Sequence, residues 1–327
     1  MYKKFRLFLS AYLVFIASTA NAQSWYISPG IGYAFPLAGQ TLDGTGTPLS
    51  GSVNKYAGST DTLVSYSLKR ASFTSGTHLS LAGGYMFNDN IGIELGLNIG
   101  MGMKQLDFYD NNTVVSGIAA NVQVQQQAKS PVLLTPSLVL QTGVGKLNVY
   151  TKMGMVIPLS TNIREDQIFS TLPGFGAIHT EDDQYQIKNF FSFGFSASAG
   201  CMYKVSDKTS IFGEVNMLSM SIFIKEADLT NVTVDGQNSF VNGAGQTVTY
   251  LSTVPQKQQK IYFSNNYTTT AADQYHQPSY AQPFSNCSIS FGLKYSFGKN
   301  QPVNKKGNGQ VHKKYDEEDH INNVKGF

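Results

Sequence analysis

The stretch from Ile91 to Met103 restricts the possible folds more than any other part of the chain. It reads I-G-I-E-L-G-L-N-I-G-M-G-M, with a large apolar residue at every odd position and a small or polar residue at every even position. Because a β-strand sends successive side chains to opposite faces, this alternation predicts a strand with one wholly apolar face. At about 3.3 Å per residue it is long enough to cross a bilayer at a tilt, which takes about 9–11 residues. The stretch therefore predicts one strand of a membrane β-barrel whose apolar face contacts lipid.

Seven further segments alternate in a similar way. The eight predicted strands, in chain order, are Trp25 to Phe35, Phe73 to Phe87, Ile91 to Met103, Val132 to Gly143, Leu147 to Leu159, Phe190 to Lys204, Thr209 to Ser221 and Phe284 to Phe297. Proline cannot donate a hydrogen bond to a neighbouring strand, so Pro29, inside the first strand, predicts a local bulge. Pro136 is a second proline inside a predicted strand.

The connections between the predicted strands alternate between long and short. The long ones are Pro36 to Ser72, Lys104 to Ser130, Ser160 to Asn189 and Ile222 to Pro283. The short ones are turns at Asn88-Asp89-Asn90, Gly143 to Lys146 and Ser206-Asp207-Lys208. Short periplasmic turns and long extracellular loops are typical of up-and-down outer-membrane barrels. A water-soluble barrel would bury its apolar face inward and would have less reason to place every long loop at one rim.

The sequence therefore predicts an all-β fold, an eight-stranded antiparallel up-and-down transmembrane β-barrel. Four long extracellular loops and three short periplasmic turns would connect its strands, in the outer membrane of a Gram-negative bacterium.

The first residues read as an export signal. Basic residues precede a short apolar run and a small-residue cleavage site, which are Lys3, Lys4 and Arg6, Leu7 to Ala17, and Ala20-Asn21-Ala22. The apolar run is too short for a membrane-spanning helix. We predict a signal peptide at residues 1–22 and a barrel domain at residues 23–297.

Composition agrees with a barrel and disfavours some other classes. The mean hydropathy of −0.17 would suit a soluble exported protein, but barrel strands escape such averages because half of each strand is polar. The chain has 31 Gly, 18 Tyr, 21 Phe and 14% charged residues. Its net charge of +3 is too small to indicate nucleic-acid binding.

Two segments carry a family resemblance. They are the hairpin Y-M-F-N-D-N-I-G-I-E-L-G, Tyr85 to Gly96, and the terminal strand S-F-G-L-K-Y-S-F, Ser290 to Phe297. With these, the span from Trp25 to Phe297 resembles the OmpA/OmpX-type eight-stranded outer-membrane barrels, in the style of the outer membrane protein β-barrel domain family of Bacteroidetes-type bacteria. The resemblance implies contact with outer-membrane lipid and lipopolysaccharide. A final strand ending in an aromatic residue also resembles the signal read by the barrel-assembly machinery; Phe297 fits, although thirty residues follow it.

The register places four charged residues inside the barrel, Glu94, Lys152, Glu214 and Lys294. An eight-stranded barrel is just wide enough for side chains to fill it. An uncompensated buried charge costs several kcal/mol, so these residues should form ion pairs. Lys152 is the first choice as partner of Glu94, and Lys294 is the second. Such a plug is favoured over a gated polar pore.

Aromatic residues near the strand ends predict girdles at the two membrane interfaces. They are Trp25, Tyr33, Phe35, Tyr85, Phe87, Tyr203, Tyr295 and Phe297.

Little in the sequence indicates an enzyme. A lipid A-modifying barrel enzyme would need a Ser/His/carboxylate set at one rim. His78 falls on an inward face, and His179 and His276 fall in predicted loops. No metal-ligand spacing, phosphate loop or nucleotide fingerprint is present, so no cofactor is expected. Cys201 and Cys287 fall on strands that are not neighbours, which favours two unpaired thiols.

The last residues, 298–327, are polar, with Lys305, Lys306, Lys313 and Lys314 before Asp316, Glu317, Glu318 and Asp319. They resemble a disordered periplasmic tail. As a whole, the sequence favours a structural or surface-interaction role, similar to adhesion, through the extracellular loops. A narrow pore for small solutes is the alternative, and a lipid A-modifying enzyme is the third hypothesis.

Overall fold

The computed structural model describes residues 24–37, 52–56, 63–68, 71–115, 118–142, 145–171, 179–266, 268 and 275–297. The predicted signal peptide at 1–22 and the predicted tail at 298–327 lie outside these ranges, as do residues 143–144 of one predicted turn. No helix in the described ranges is long and apolar enough to cross a membrane.

Almost all of the regular structure is β-strand. In chain order the strands are β1 Ser24–Pro36, β2 Ser52–Tyr56, β3 Leu63–Leu68, β4 Gly76–Met86, β5 Ile91–Met103, β6 Leu106–Val115, β7 Ile118–Ala128, β8 Val132–Gln141, β9 Leu147–Ser160, β10 Ile163–Thr171, β11 Thr180–Asn189, β12 Gly194–Lys204, β13 Thr209–Ser219, β14 Ser221–Val234, β15 Ser239–Val241, β16 Thr247–Thr249, β17 Lys260–Ser264, β18 His276–Pro278, β19 Ala281–Pro283 and β20 Asn286–Ser296. The described ranges also contain one short helix, α1, Tyr250–Thr253.

Eight of these strands form a closed barrel in the order β1-β20-β13-β12-β9-β8-β5-β4. Every neighbouring pair is antiparallel. Each of the eight barrel strands is therefore a neighbour, in the barrel wall, of the barrel strand that comes next along the chain. The predicted fold, an eight-stranded antiparallel up-and-down barrel, is confirmed, and β5 has the bounds read from the sequence.

The barrel wall separates apolar side chains on the outside from small and polar side chains on the inside. On β5, Ile93 and Leu95 are 49% and 52% exposed, whereas Glu94 between them is 8% exposed. The same alternation on the other barrel strands makes a continuous apolar outer surface. Exposing this apolar surface to water would cost much free energy, whereas contact with lipid hydrocarbon is favourable.

Side chains build the two short turns that the structure describes. The Asn88 side-chain oxygen accepts hydrogen bonds from the backbone N–H groups of Asn90 and Ile91, at 2.9 and 2.8 Å. In the second turn the Ser206 hydroxyl accepts from the backbone N–H of Thr209, at 3.1 Å. Asn and Ser favour turns for this reason.

The two prolines interrupt the wall without shifting its register. Between β1 and β20 the pairing passes from Ile27↔Tyr295 to Gly30↔Gly292 and omits Pro29. The pairing of β8 with β9 likewise omits Pro136 and resumes in the same register. The bulge predicted at Pro29 is therefore wrong, because the missing N–H removes local pairing but inserts no extra residue.

The four long connections differ from the prediction, because they are not simply loops. They contribute the strands of a ten-stranded outer sheet in the order β18-β17-β14-β11-β10-β7-β6-β2-β3, with β19 paired to β14. The strands β6, β7, β10, β11 and β14 extend β5, β8, β9, β12 and β13 beyond the membrane after short breaks. β15 and β16 form a hairpin of their own.

Three predicted strand ends are also corrected. Phe73 and Phe190 lie before β4 and β12 rather than within them, and Phe284 precedes β20. Phe73 and Phe284 are fully buried, with ring centroids 5.5 Å apart. They belong to a hydrophobic cluster at the extracellular end of the barrel that also contains Leu133, Val156 and Leu218, which we call the mouth core. Their apolar character comes from packing in the mouth and not from facing lipid.

Candidate functional site in the barrel lumen

One lysine joins two glutamates in the middle of the lumen. The Nζ atom of Lys152 lies 2.8 Å from Oε1 of Glu94 and 3.0 Å from Oε2 of Glu214. The three side chains are 16%, 7% and 12% exposed. These residues come from β9, β5 and β13, so the contacts span the interior.

Each glutamate also accepts a hydrogen bond from a tyrosine. The Tyr26 hydroxyl donates to Oε2 of Glu94 at 2.8 Å, and the Tyr150 hydroxyl donates to Oε2 of Glu214 at 2.9 Å. We call Tyr26, Glu94, Tyr150, Lys152 and Glu214 the lumen cluster. Charge-assisted hydrogen bonds of this kind offset part of the cost of burying a carboxylate.

A glycine on the intervening strand makes room for each tyrosine. Tyr26 on β1 is paired with Gly84 on β4, which is paired with Glu94 on β5. A Cβ at Gly84 would overlap the Tyr26 ring. The small inward residues of the alternating pattern are therefore needed for side chains to cross the lumen.

The same arrangement occurs a second time, half a barrel away. Tyr150 on β9 is paired with Gly200 on β12, which is paired with Glu214 on β13. A Cβ at Gly200 would lie 2.7 Å from the Tyr150 hydroxyl. The cluster thus consists of two Tyr-Gly-Glu rows bridged by a single lysine.

Lys294 completes the charge balance without joining an ion pair. Its Nζ lies 3.7 Å from the centroid of the Tyr26 ring, a favourable position for a cation. Among the described residues no ion pair to Lys294 is found; the pairs that reach Glu94 and Glu214 come from Lys152. The carboxylates of Glu94 and Glu214 and the ammonium groups of Lys152 and Lys294 together make the middle of the lumen electrically neutral.

The lumen cluster separates two cavities. The larger has a volume of about 90 Å³ and lies between the cluster and the mouth core, whose Leu133 and Leu218 are in its lining. The smaller, of about 20 Å³, lies towards the periplasmic end and is lined by Met202 and Lys294. Glu94 and Lys152 line both cavities, so the passage between them is filled by this ion pair.

Hydroxyl, amide and imidazole groups line the larger cavity. His78 Nε2 lies 3.2 Å from the Ser290 hydroxyl, and the buried Ser198 hydroxyl has no partner within the described protein. The volume suffices for several water molecules, and polar walls of this kind hold them. The chamber is polar, but side chains close it at both ends.

The mouth core is held in place by hydrogen bonds between two chain segments. The Thr74 hydroxyl donates to the Phe284 carbonyl at 2.7 Å, and the Asn286 side-chain amide donates to Thr74 Oγ1 at 2.6 Å. The backbone N–H of Phe73 donates to the Pro283 carbonyl at 2.9 Å. The segments before β4 and before β20 therefore close the mouth together.

The aromatic residues predicted to form girdles lie on the outer surface near the strand ends. Trp25 and Tyr85 have ring centroids 4.8 Å apart, and Tyr85 and Phe87 follow at 5.4 Å. Tyr295 and Phe297 pack at 5.1 Å near the same end, where Tyr203 also lies exposed. Tyr33 and Phe35 pack at 4.9 Å near the extracellular end.

The other candidate residues are dispersed. His179 Nδ1 lies 2.8 Å from Asp235 Oδ2 at an exposed position, and His276 stacks on Tyr262 with centroids 5.5 Å apart. Cys201 and Cys287 are free thiols on β12 and β20, which β13 separates. The described residues contain no group of three or more His, Cys, Asp or Glu side chains that could hold a metal ion.

The outer sheet buries a carboxylate, Glu165, for which the described part of the chain supplies no cationic partner. Glu165 accepts hydrogen bonds from the side-chain amides of Gln126 and Gln167, and its burial raises its pKa. Burial, together with the nearby Glu181 and Asp182 carboxylates, raises the pKa of Asp183 to about 6. Both directions follow from the poor solvation of a charge inside the sheet.

A second charged group on the outer sheet is balanced. Lys188 Nζ lies 2.9 Å from Glu226 and 2.7 Å from Asp228, and Lys260 Nζ lies 3.0 Å from Asp228. The hydrogen bond from Lys188 lowers the pKa of Glu226. These exposed pairs contribute little to stability but fix the spacing of side chains on the surface.

A closed barrel with an apolar exterior and a filled polar interior is the architecture of small barrels that span bacterial outer membranes. The fold and the lumen define the chain as an integral outer-membrane β-barrel protein.

No family model and no curated protein matches the sequence. The structure is similar to the outer membrane protein OprG from Pseudomonas aeruginosa, with a TM-score of 0.38 and 11% identity, covering 84% of this chain and 96% of that chain. It is also similar to Ail, the attachment invasion locus protein of Yersinia pestis, in complex with the heparin analogue sucrose octasulfate, with a TM-score of 0.28 and 10% identity over 85% of this chain and 100% of that one. For Acinetobacter baumannii CarO2 the TM-score is 0.27 and the identity 11%, covering 83% and 99%. At these TM-scores the likenesses carry no argument about function.

Proposed function

We propose that this protein is a plugged outer-membrane barrel that acts through its outer sheet, in a structural or surface-interaction role. The observation that carries the proposal is the double closure of the lumen. The lumen cluster fills the middle of the barrel, and the mouth core fills its extracellular end. A barrel closed in this way serves to support the outer sheet at the cell surface.

The outer sheet suits a role in recognition. Its strands continue the barrel strands, so its surface is held rigidly with respect to the membrane. One row of its outward face carries Gln125, Asp166, Gln184 and Asn231 on four neighbouring strands, and the Asn231 amide donates to Gln184 Oε1 at 3.4 Å. Hydrogen-bonding groups held at fixed spacing favour binding of a polar surface ligand, because the protein side chains lose little conformational entropy when the ligand binds.

Adhesion of whole cells tests this role. Cells expressing the full chain should adhere to a host-cell or biofilm surface at least several-fold better than cells without it. A variant with Gln125, Asp166 and Gln184 all changed to Ala should lose that gain. Removal of the β15–β16 hairpin serves as the control, since these strands pair only with each other. Equal adhesion with and without the protein would contradict the surface role.

A narrow pore is the second candidate, and the larger cavity favours it, since only side chains separate the two cavities. Planar-bilayer recording distinguishes the two candidates. A plugged barrel should give no steady conductance, whereas steady single-channel steps from the purified protein would establish the pore.

We propose no enzymatic activity. His78 and Ser290 face the lumen, where the wall separates them from bilayer lipid. The His78→Ala variant should leave the mass spectrum of lipid A unchanged. A changed lipid A profile would support the third hypothesis.

The proposal extends to the residues at the two ends. Residues 1–22 serve as a signal peptide, residues 298–327 serve as a periplasmic tail, and β20 together with Phe297, which follows it, serves as the assembly signal. Mass spectrometry of the mature protein should give Gln23 as its first residue. Outer-membrane lipid and lipopolysaccharide are its surroundings in the membrane.

A further inference from the structure

The lipid-facing surface has a notch at Gly83. All eight barrel strands are described, and three glycines occupy outward or exposed positions on them, Gly83, Gly102 and Gly213. Gly102 lies at the extracellular end of β5, where the pairing with β4 shifts register. A Cβ at Gly213 would lie 3.2 Å from the Phe291 ring, which covers that position. A Cβ at Gly83 would meet nothing within 4 Å. Gly83 is therefore a gap in the apolar surface that no side chain of the described protein fills.

The notch is broad because its neighbours are arranged around the missing side chain. Gly83 lies in the row Ile27–Gly83–Leu95–Pro136, in which the compact proline leaves a second low point. The adjacent row is Trp25–Tyr85–Ile93–Leu138. Gly83, Leu95 and Pro136 of the first row and all four residues of the second line an open notch of about 560 Å³ whose walls are mostly apolar.

The depth of the notch indicates which part of the bilayer fills it. Gly83 is three residues from Met86, the periplasmic end of β4, which is about 10 Å along the strand. This is within the hydrocarbon of the periplasmic leaflet. Trp25 and Tyr85 border the notch on the periplasmic side, and such amphipathic rings favour the interface.

We propose that the Gly83 notch binds one acyl chain of a periplasmic-leaflet phospholipid and that Trp25 and Tyr85 lie beside its glycerol-ester region. The apolar walls make van der Waals contact with the chain, and the aromatic N–H and O–H groups are near the first polar atoms above it. A lipid in this position is retained longer than the lipids around the rest of the barrel.

Gly83→Leu tests the site, because the new side chain occupies the notch and its Cβ has no protein atom within 4 Å. Ala199→Leu is the matched control, since it places the same leucine side chain at another exposed, outward position, on β12. In native mass spectrometry of protein extracted from phospholipid bilayers into detergent, the natural protein and Ala199→Leu should retain one phospholipid. Gly83→Leu should retain at least ten-fold less. Heat-modifiable gel migration checks that each variant is folded.

Trp25 provides a second measurement, since it is the single tryptophan of the chain. Titration of the detergent-solubilised natural protein with a phospholipid brominated on its acyl chains should quench Trp25 saturably, near one lipid per protein. Unsaturable quenching of the natural protein would overturn the proposal, whether or not Gly83→Leu folds. Equal phospholipid retention by Gly83→Leu and the natural protein would also overturn the proposal. So would a dimer of the natural protein that Gly83→Leu abolishes, because a second copy of the chain would then occupy the notch.

Discussion

Lys152→Met perturbs the lumen cluster most directly, because it removes the one cation that bridges two carboxylates. The ion-pair distances are 2.8 and 3.0 Å. At an effective dielectric constant of about 20, each pair attracts by roughly 6 kcal/mol, and desolvation of the buried charges offsets much of this. Removing one partner from a buried ion pair costs about 3–5 kcal/mol. We expect Lys152→Met to lower the free energy of unfolding by that amount.

Urea unfolding in lipid vesicles, followed by Trp25 fluorescence and heat-modifiable gel migration, measures this loss. The control is the quadruple variant Glu94→Gln, Lys152→Met, Glu214→Gln, Lys294→Met, which leaves no uncompensated charge among the four positions. Its stability should return to within about 2 kcal/mol of the natural protein, because replacing a whole buried ion-pair group is often nearly neutral. An unfolding midpoint for Lys152→Met equal to that of the natural protein would refute the reasoning. A quadruple variant as unstable as the single one would refute it too.

Three further predictions concern the lumen, the outer sheet and the mouth. Gly84→Ala should destabilise the barrel by about 1–3 kcal/mol in the same urea assay, since its Cβ displaces the Tyr26 ring from Glu94. Gly83→Ala, one residue away and outward, should change stability by less than about 0.5 kcal/mol; equal losses in both variants would contradict this. Because burial raises the pKa of both Glu165 and Asp183, the folded outer sheet binds more protons than the unfolded one. The stability contributed by these two carboxyl groups should therefore be complete below about pH 4 and fall as pH rises through their folded values, about 6 for Asp183. The protection factors of the outer-sheet amides, which are corrected for the faster intrinsic exchange at high pH, should be larger at pH 5 than at pH 8. Glu165→Gln should reduce that difference, and larger protection factors at pH 8 would contradict the prediction. Phe73→Ala should cost about 3–5 kcal/mol of local stability, seen as faster hydrogen exchange in residues 71–75 and 283–286; unchanged exchange there would show that Phe73 does not hold the mouth.

The barrel could be read from the sequence because lipid imposes a two-residue period on every strand. On β5 the apolar and small residues alternate without interruption, and the bounds of that strand follow directly. The same parity places Glu94 and Lys152 inside the lumen, where the structure finds them 2.8 Å apart. The alternation predicts which face a side chain is on, but it does not predict which partner the side chain reaches. Lys294 has the correct parity for an ion pair, yet it lies over the Tyr26 ring.

The outer sheet could not be read in this way, because both of its faces include polar residues. On β7, Val122 and Val124 alternate with Gln123 and Gln125, but the hydrophobic period fails at Gln126, which is polar and yet buried. The mouth core was missed for the opposite reason. Phe73 and Phe284 are apolar and adjoin lipid-facing strands, so pattern alone extends those strands through them. The tyrosines of the lumen cluster did leave a signal, since Tyr26 and Tyr150 have the inward parity of their strands.

The charges of the lumen also bear on how the barrel assembles. The first four barrel strands contribute Glu94, and the last four contribute Lys152, Glu214 and Lys294. Each half alone therefore carries one uncompensated charge, negative in the first and positive in the second. Two copies of either half would bring like charges together, whereas the two different halves neutralise each other. An incomplete or wrongly paired barrel is penalised in the membrane, and closure of the correct one removes the penalty in a single step.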